Sequence, residues 1–404
     1  MKSTYLFLYK NMLQLILGIC LVSALASCRK ESPQINDPKR YIEGSFSEAF
    51  EAYWNGMNNN YIFWDTDPTN WDEIYRKYQP IFAKMNINDS TDVRKSYTYF
   101  KEMTSTLIDS HYALRINSPY VQDSAAYISP SDARHQKSPD YHGSINPNFF
   151  YSTIPPKYLD KGYVKGFINL SATDQFFAVA GKIKGNILYL HFNEFSLNVI
   201  KDLQTPNNAQ KALQYYFDEV KKPEGLKGII IDVRSNGGGY LSDLDLLVGG
   251  LTDKEFPIGA TRSKIGNGRL DYSPWIPATV HPGKDAKLFT APIIVLADLN
   301  SVSMAEMTTM ALKAMPGGNV KFVGERTWGG NGPLLNNNDY YNSGQFKTGF
   351  LSLVYTSSTA LRYVDGKLYE GIGFPPDIEV KYNKAALDAG TDPQLEKAIS
   401  LIPQ

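Results

Sequence analysis

Apolar positions change their period along the chain, and each period predicts an element type. From Phe46 the spacing is three and four: Phe50, Tyr53, Trp54 and Met57 fall on one helical face, and residues 60–65 break it. Asn70-Trp71-Asp72 opens a second helix carrying Ile74, Tyr75 and Tyr78. Ser90-Thr91-Asp92 opens a third, whose apolar face is Val93, Tyr97, Phe100, Met103 and Leu107. These spacings predict a small helical domain over residues 43–112. Residues 113–185 are rich in Ser, Pro, Asn and Tyr and alternate only in short runs such as Tyr163-Val164-Lys165-Gly166-Phe167-Ile168, which predicts a β-rich insertion with long loops. From residue 186 strands and helices alternate. Ile187-Leu188-Tyr189-Leu190-His191-Phe192 reads as a strand, residues 208–221 as a helix, and Gly228-Ile229-Ile230-Ile231-Asp232-Val233 as a strand apolar on both faces. A helix from about Ser242, a strand at Ile293-Ile294-Val295-Leu296, a helix after Ser303 and a strand at 319–324 complete an α/β pattern. Such alternation predicts a parallel sheet flanked by helices over residues 186–404.

The first residues read differently. Lys2 and Lys10 flank an apolar stretch from Met12 to Leu25, which ends in Leu25-Ala26-Ser27-Cys28. A basic start, a short apolar run and small residues make residues 1–27 a secretory signal. Its roughly 14 apolar positions fall short of the ~20 a spanning helix needs. The ending resembles a bacterial lipobox, which implies lipidation of Cys28, a tether over 28–42, and a cell-envelope lipoprotein facing the periplasm or the cell surface. Cys20 and Cys28 are the only two cysteines, so no disulfide framework or thiolate metal site lies beyond them. Lys+Arg and Asp+Glu both number 41, and this zero net charge gives no global field for nucleic acid.

Candidate chemistry gathers where strands end, since sites in such sheets lie at the carboxyl edge. Gly237-Gly238-Gly239 follows one buried strand and Ser303 follows another. Three glycines let backbone N–H groups approach a ligand, or simply make a tight turn. Ser303 with Glu306 spells a capping box, but a serine there is also placed as a nucleophile at a helix N-terminus. A nucleophilic serine needs a base, and five histidines are available. His135 and His142 lie in the polar insertion, His281 in a loop, and His191 in a strand where alternation points it to solvent. His111 follows the third helix, beside Asp109 and Ser110. No zinc-protease, P-loop, dinucleotide or Gly-x-Ser-x-Gly motif is present, so no metal or cofactor is expected.

Four ordered motifs together resemble the serine peptidases that include the C-terminal processing (tail-specific) proteases and tricorn protease, with a ClpP/crotonase-like fold. They are Gly228-Ile229-Ile230-Ile231-Asp232-Val233-Arg234-Ser235-Asn236-Gly237-Gly238-Gly239, Ala297-Asp298-Leu299-Asn300-Ser301-Val302-Ser303-Met304-Ala305-Glu306, Gly324-Glu325-Arg326-Thr327-Trp328-Gly329-Gly330 and Glu370-Gly371-Ile372-Gly373-Phe374-Pro375-Pro376-Asp377. The resemblance implies a Ser303 nucleophile and an oxyanion hole from the N–H groups of Met304 and of Gly238 or Gly239. The processing branch places its lysine base where Gly330 stands. The tricorn branch uses histidine, which implies His111 as base with Ser110 and Glu370 supporting it. No PDZ domain is recognisable ahead of residue 186. Implied substrates are extended or unfolded polypeptides, with residues 349–355 as a strand where a peptide adds. The competing expectation is a non-catalytic lipoprotein of this fold that binds peptides or small apolar ligands. Oligomeric state is left open.

Overall fold

The computed structural model describes residues 43–121, 127–334 and 344–403. The signal, the tether and Cys28 lie outside the described residues. Three N-terminal helices, Phe46–Asn60, Trp71–Phe82 and Ser90–Thr104, begin where their capping side chains are. Ser45 accepts the N–H of Glu48, Asn70 that of Glu73, and Asp89 those of Thr91 and Asp92. Their aromatic faces do not close on themselves. Phe46, which Phe82 backs, and Phe100 pack against Phe350, so the helices share a core with a sheet drawn from distant sequence.

Strands β1 (Ala113–Ile116) and β2 (Tyr127–Ile128) follow the third helix. Then come β3 (Val164–Asn169), β4 (Gln175–Ile183), β5 (Ile187–Phe192) and β6 (Gly228–Asp232). β7 (Phe256–Ser263), β8 (Ile276–Val280), β9 (Ile293–Ala297) and β10 (Val320–Gly324) continue the chain, and β11 (Gln345–Phe346), β12 (Leu351–Tyr355), β13 (Thr359–Tyr363) and β14 (Ile378–Glu379) complete it. The central sheet has the order β14-β10-β9-β6-β5-β4-β3. From β14 to β5 it is parallel, while β4 and β3 add antiparallel. Alternate residues enter opposite cores. Ile229, Ile231, Ile293 and Val295 face the helices Asn208–Lys221 and Met304–Ala314. Ile230, Ile294 and Leu296 face Phe149, Phe150 and the C-terminal helix Pro393–Ser400. Burial on both faces is why these strands read as unbroken apolar runs.

Three findings correct the sequence reading. The composition break at 185/186 is not a break in the sheet, because β3 and β4, placed in the insertion, pair in register onto β5. β12 is not open to a substrate strand: the order β11-β12-β1-β2 fills both of its edges. His191 does not face solvent. It is 1% exposed and stacks on Phe150 at 3.7 Å, since Phe150 covers the face that alternation assigned to water.

Registers Asp232↔Leu296 and Gly324↔Ala297 bring the ends of β6, β9 and β10 level, so their following loops leave one edge together. A buried cation anchors the first of these loops. Arg234 donates from Nε and Nη2 to Asp232 at 2.9 and 2.6 Å, and from Nη1 and Nη2 to Asp392 at 2.9 and 2.8 Å, all three side chains being fully buried. Burial pushes the Asp232 carboxyl up, but Arg234 outweighs it and holds the group well below the carboxylate range. Arg234→Leu would strand two buried carboxylates and should cost about 3–5 kcal/mol in urea unfolding; a loss under about 1 kcal/mol would contradict this anchoring.

Candidate active site

The turn from β9 into the helix Met304–Ala314 is sewn to the glycine loop. Asp298 accepts the N–H groups of Ser235 and Asn300 at 2.8 and 3.0 Å, Ser301 Oγ donates to the Val233 carbonyl at 2.8 Å, and Val302 N–H donates to the Asn236 carbonyl at 3.0 Å. Ser303 ends this turn with φ 57° and ψ −117°, a conformation few non-glycine residues adopt and one that concentrates at functional sites. Gly238 lies directly against it: a Cβ on Gly238 would come 2.6 Å from Ser303 Cβ, at a φ of +95°. The N–H of Gly238 is taken by Asn236 Oδ1 at 2.9 Å. The N–H groups of Gly239 and Met304 have no acceptor among the described residues. Of the two glycines considered as oxyanion donors, Gly239 is therefore the one with a donor to offer.

His111 sits on a segment whose backbone is held by side chains. Asp67 accepts Ile108 N–H at 2.9 Å, Tyr61 Oη accepts Asp109 N–H at 3.3 Å, Glu370 accepts Ser110 N–H at 2.8 Å, and Asp109 accepts His111 N–H at 2.9 Å. The ring faces Ser357 Oγ through Nδ1 at 3.3 Å. Burial lowers His111 to about 4, so the imidazole is neutral at neutral pH. Burial also raises Asp109 to about 6.

A turn over residues 327–332 joins these two parts. Glu306, on the helix that Ser303 begins, accepts Ser303 N–H at 3.2 Å, Thr327 Oγ1 at 2.6 Å, and the N–H groups of Gly329 and Gly330 at 2.7 Å each. Glu370 accepts Asn331 and Gly332 N–H at 3.0 and 2.8 Å. Burial pushes Glu306 up to about 7 and Glu370 well above its usual range, the latter with help from Asp109. At Gly330 the two sides meet. A Cβ there would lie 3.3 Å from Val302 Cγ1 and from Ser110 Cβ, and 3.6 Å from His111 Cε1. A side chain at 330 would therefore start in close contact with Val302 and Ser110 and beside the His111 ring.

The arrangement departs from expectation in two places. No hydrogen bond joins Ser303 Oγ to His111. Ser110 Oγ, expected to link the ring to Glu370, is buried without a partner, as is the Asn331 amide. One ligand atom each from Asp109, His111 and Glu370 lie within 4.8 Å of one another, a spacing that could hold a metal ion. Backbone N–H groups already occupy both carboxylates, however. A cavity of about 330 Å³ opens beside His111, lined also by Tyr127, Asp132, Leu353 and Tyr355. The other histidines serve elsewhere: His135 stacks on Trp328 at 3.7 Å, His142 pairs with Glu325 at 2.8 Å, and His281 is exposed beside Asp245. Sequence reasoning placed the capping box of Ser303 and Glu306, which is present, but missed Ser357, Asn236 and the bonds of Glu306 to the turn at Thr327, Gly329 and Gly330. Only Glu306 carried a signal, as the last residue of the capping box.

Residues 186–380 match the model of peptidase family S41. Tricorn protease of Thermoplasma volcanium is 21% identical over 89% of this chain, which spans only 36% of that protein's length. A solved structure from Parabacteroides merdae has a TM-score of 0.64 at 23% identity, covering 89% of this chain and 97% of that one. Mature CPAF complexed with lactacystin has a TM-score of 0.55 at 12% identity, covering 88% and 97%. The two structures share the fold. The similarity is therefore to peptidases, and the family match runs from β5 to β14.

The geometry makes Glu306 the tie between nucleophile helix and turn. In Glu306→Gln the amide can accept on one side only and turns its NH₂ toward N–H donors on the other. A loss of about 2–4 kcal/mol in chemical unfolding is expected, with catalysis falling too. Unchanged stability would show that the turn holds without this carboxylate.

Proposed function

We propose that this protein, whose residues 186–380 match the model of peptidase family S41, is an endopeptidase in which Ser303 attacks the peptide carbonyl and His111 is the base. Ser303 Oγ forms a bond to the carbonyl carbon while His111 Nε2 takes its proton. The carbonyl oxygen becomes an oxyanion facing the N–H groups of Gly239 and Met304. Collapse expels the amine, which receives the proton from His111, and leaves an acyl group on Ser303. Water, deprotonated by His111, then releases the acid and restores the serine. The observation that supports this reading is the packing of Gly238 on Ser303, a serine at φ 57°, while the N–H groups of the adjoining residues Gly239 and Met304 have no acceptor among the described residues. Losing one such donor typically costs ~2.7–4 kcal/mol of transition-state stabilisation. The missing Ser303–His111 hydrogen bond favours the non-catalytic reading, but such bonds are often long without substrate and tighten in the complex.

Substrates are extended or unfolded polypeptides, a reading supported by the resemblance of the four motifs to the tail-specific and tricorn proteases and by the cavity beside His111. The protein works outside the cytoplasm, held to a membrane through lipid on Cys28. The support for both points is the apolar stretch and its Leu25-Ala26-Ser27-Cys28 ending.

Ser303→Ala should abolish cleavage of a peptide library while lowering the unfolding free energy by no more than about 2 kcal/mol, the cost of losing an N-cap serine. Continued cleavage would exclude Ser303 as nucleophile. The pH profile is a second check. His111 takes a proton only when neutral, so activity is present above its value and lost as pH falls through it. With burial setting His111 at about 4 and Asp109 at about 6, the acid limb of kcat/KM should lie below the 6.5 of a free histidine. A limb above 6.5 would mean the base is not this buried ring.

A further inference from the structure

The geometry points to Ser357 and Asp109 as the pair that orients His111, in the place expected of Ser110 and Glu370. This rests on His111 being the base. Hydrogen accounting leads to it. Ionised Asp109 can only accept, and it accepts three bonds: Ser357 N–H at 2.7 Å, Ser357 Oγ–H at 2.9 Å and His111 N–H at 2.9 Å. The Ser357 hydroxyl proton is thus committed to Asp109. What the hydroxyl turns to His111 Nδ1, 3.3 Å away, is a lone pair, so Nδ1 carries the ring proton. That leaves the lone pair on Nε2, as a general base requires. Asp109 is fully buried, and through the hydroxyl its charge stabilises the imidazolium that forms as the serine is deprotonated.

The alternative pair makes no side-chain hydrogen bond to the ring among the described residues. Ser110 Oγ makes no hydrogen bond, and the Glu370 oxygens are met by the N–H groups of Ser110, Asn331 and Gly332. Glu370 therefore fixes backbone, and it touches Ser110 through the main chain only.

Sheet register is what brings Ser357 to the ring. β1 and β12 pair antiparallel with Ala113↔Tyr355. Two residues outward on each strand stand His111 and Ser357. The base and its hydroxyl partner are thus opposite one another by continuation of the ladder, although 246 residues apart in sequence. Asp109 closes the arrangement from two residues before the histidine. Ser357 and Asp109 are positioning residues, acting on the substrate only through His111.

The test reads the tautomer as well as the rate. In ¹⁵N-histidine-labelled Ser303→Ala protein, His111 should show the Nδ1–H tautomer at pH 8. Adding Ser357→Ala should abolish that preference; adding Ser357→Thr, which keeps the hydroxyl, or Ser110→Ala should not. In the active protein, Ser357→Ala should lower kcat on the order of 10²-fold with KM within about twofold, and Ser357→Thr should recover most of it. A tautomer that moves with Ser110→Ala and not with Ser357→Ala would overturn the assignment. Should Ser357→Ala not fold, Ser357→Cys keeps the volume with a much weaker hydrogen bond and carries the same comparison. The nuclear magnetic resonance readout needs no turnover, so a protein that cleaves no peptide yet shows the Ser357-dependent tautomer would refute the peptidase reading and leave the pairing intact.

Discussion

Two buried carboxylates carry the turn at residues 327–332, and the site depends on them. Glu306 holds its first half and Glu370 its second, through backbone N–H groups of four residues and the hydroxyl of Thr327. Each carboxylate also reaches past the turn, Glu306 to the N–H of Ser303 and Glu370 to that of Ser110. One short turn thereby couples the helix that presents the serine to the segment that presents the histidine. An ionised carboxylate in the interior is costly unless met by several donors. Here the donors are main-chain groups that would otherwise be buried without partners, so each side of the arrangement satisfies the other.

The two chemical groups come from different sheets of one compact unit. Ser303 and the glycine loop stand on the carboxyl edge of the parallel sheet, where β6, β9 and β10 end level. His111 stands at the start of β1, in the small sheet that shares its core with the N-terminal helices. The helical region is therefore part of how the base is held: Asp67 and Tyr61, between its first two helices, fix the backbone at 108 and 109. At Gly330 a Cβ would press on Val302 and Ser110 at 3.3 Å and meet the His111 ring at ordinary contact distance, so the turn runs close against the histidine.

Local features were legible in the sequence where local physics decides them. The second helix begins at the Asn70 cap that the pattern marked, the other two within a residue of their marked starts but on caps, Ser45 and Asp89, that it did not name, and the buried strands show as runs of Ile and Val. The glycine loop and Ser303 could be placed at strand ends because α/β alternation dictates where loops gather. Long-range pairing was not legible. Nothing in Thr356-Ser357-Ser358-Thr359 marks Ser357 as the residue opposite His111, since that follows from a strand register set across the whole chain. The same blindness separated β3 and β4 from their sheet. It also sent His191 to solvent, because strand alternation records one covered face and Phe150 covers the other.

The central claim is that Ser303 is a nucleophile whose reactivity depends on His111. The most direct measurement is the rate at which a fluorophosphonate labels the intact protein, with the modified residue located by mass spectrometry. The account predicts a single adduct on Ser303, formed rapidly in the parent and slowed on the order of 10²-fold or more in His111→Ala. No adduct on Ser303 in the folded parent, or an equal rate without His111, would contradict it.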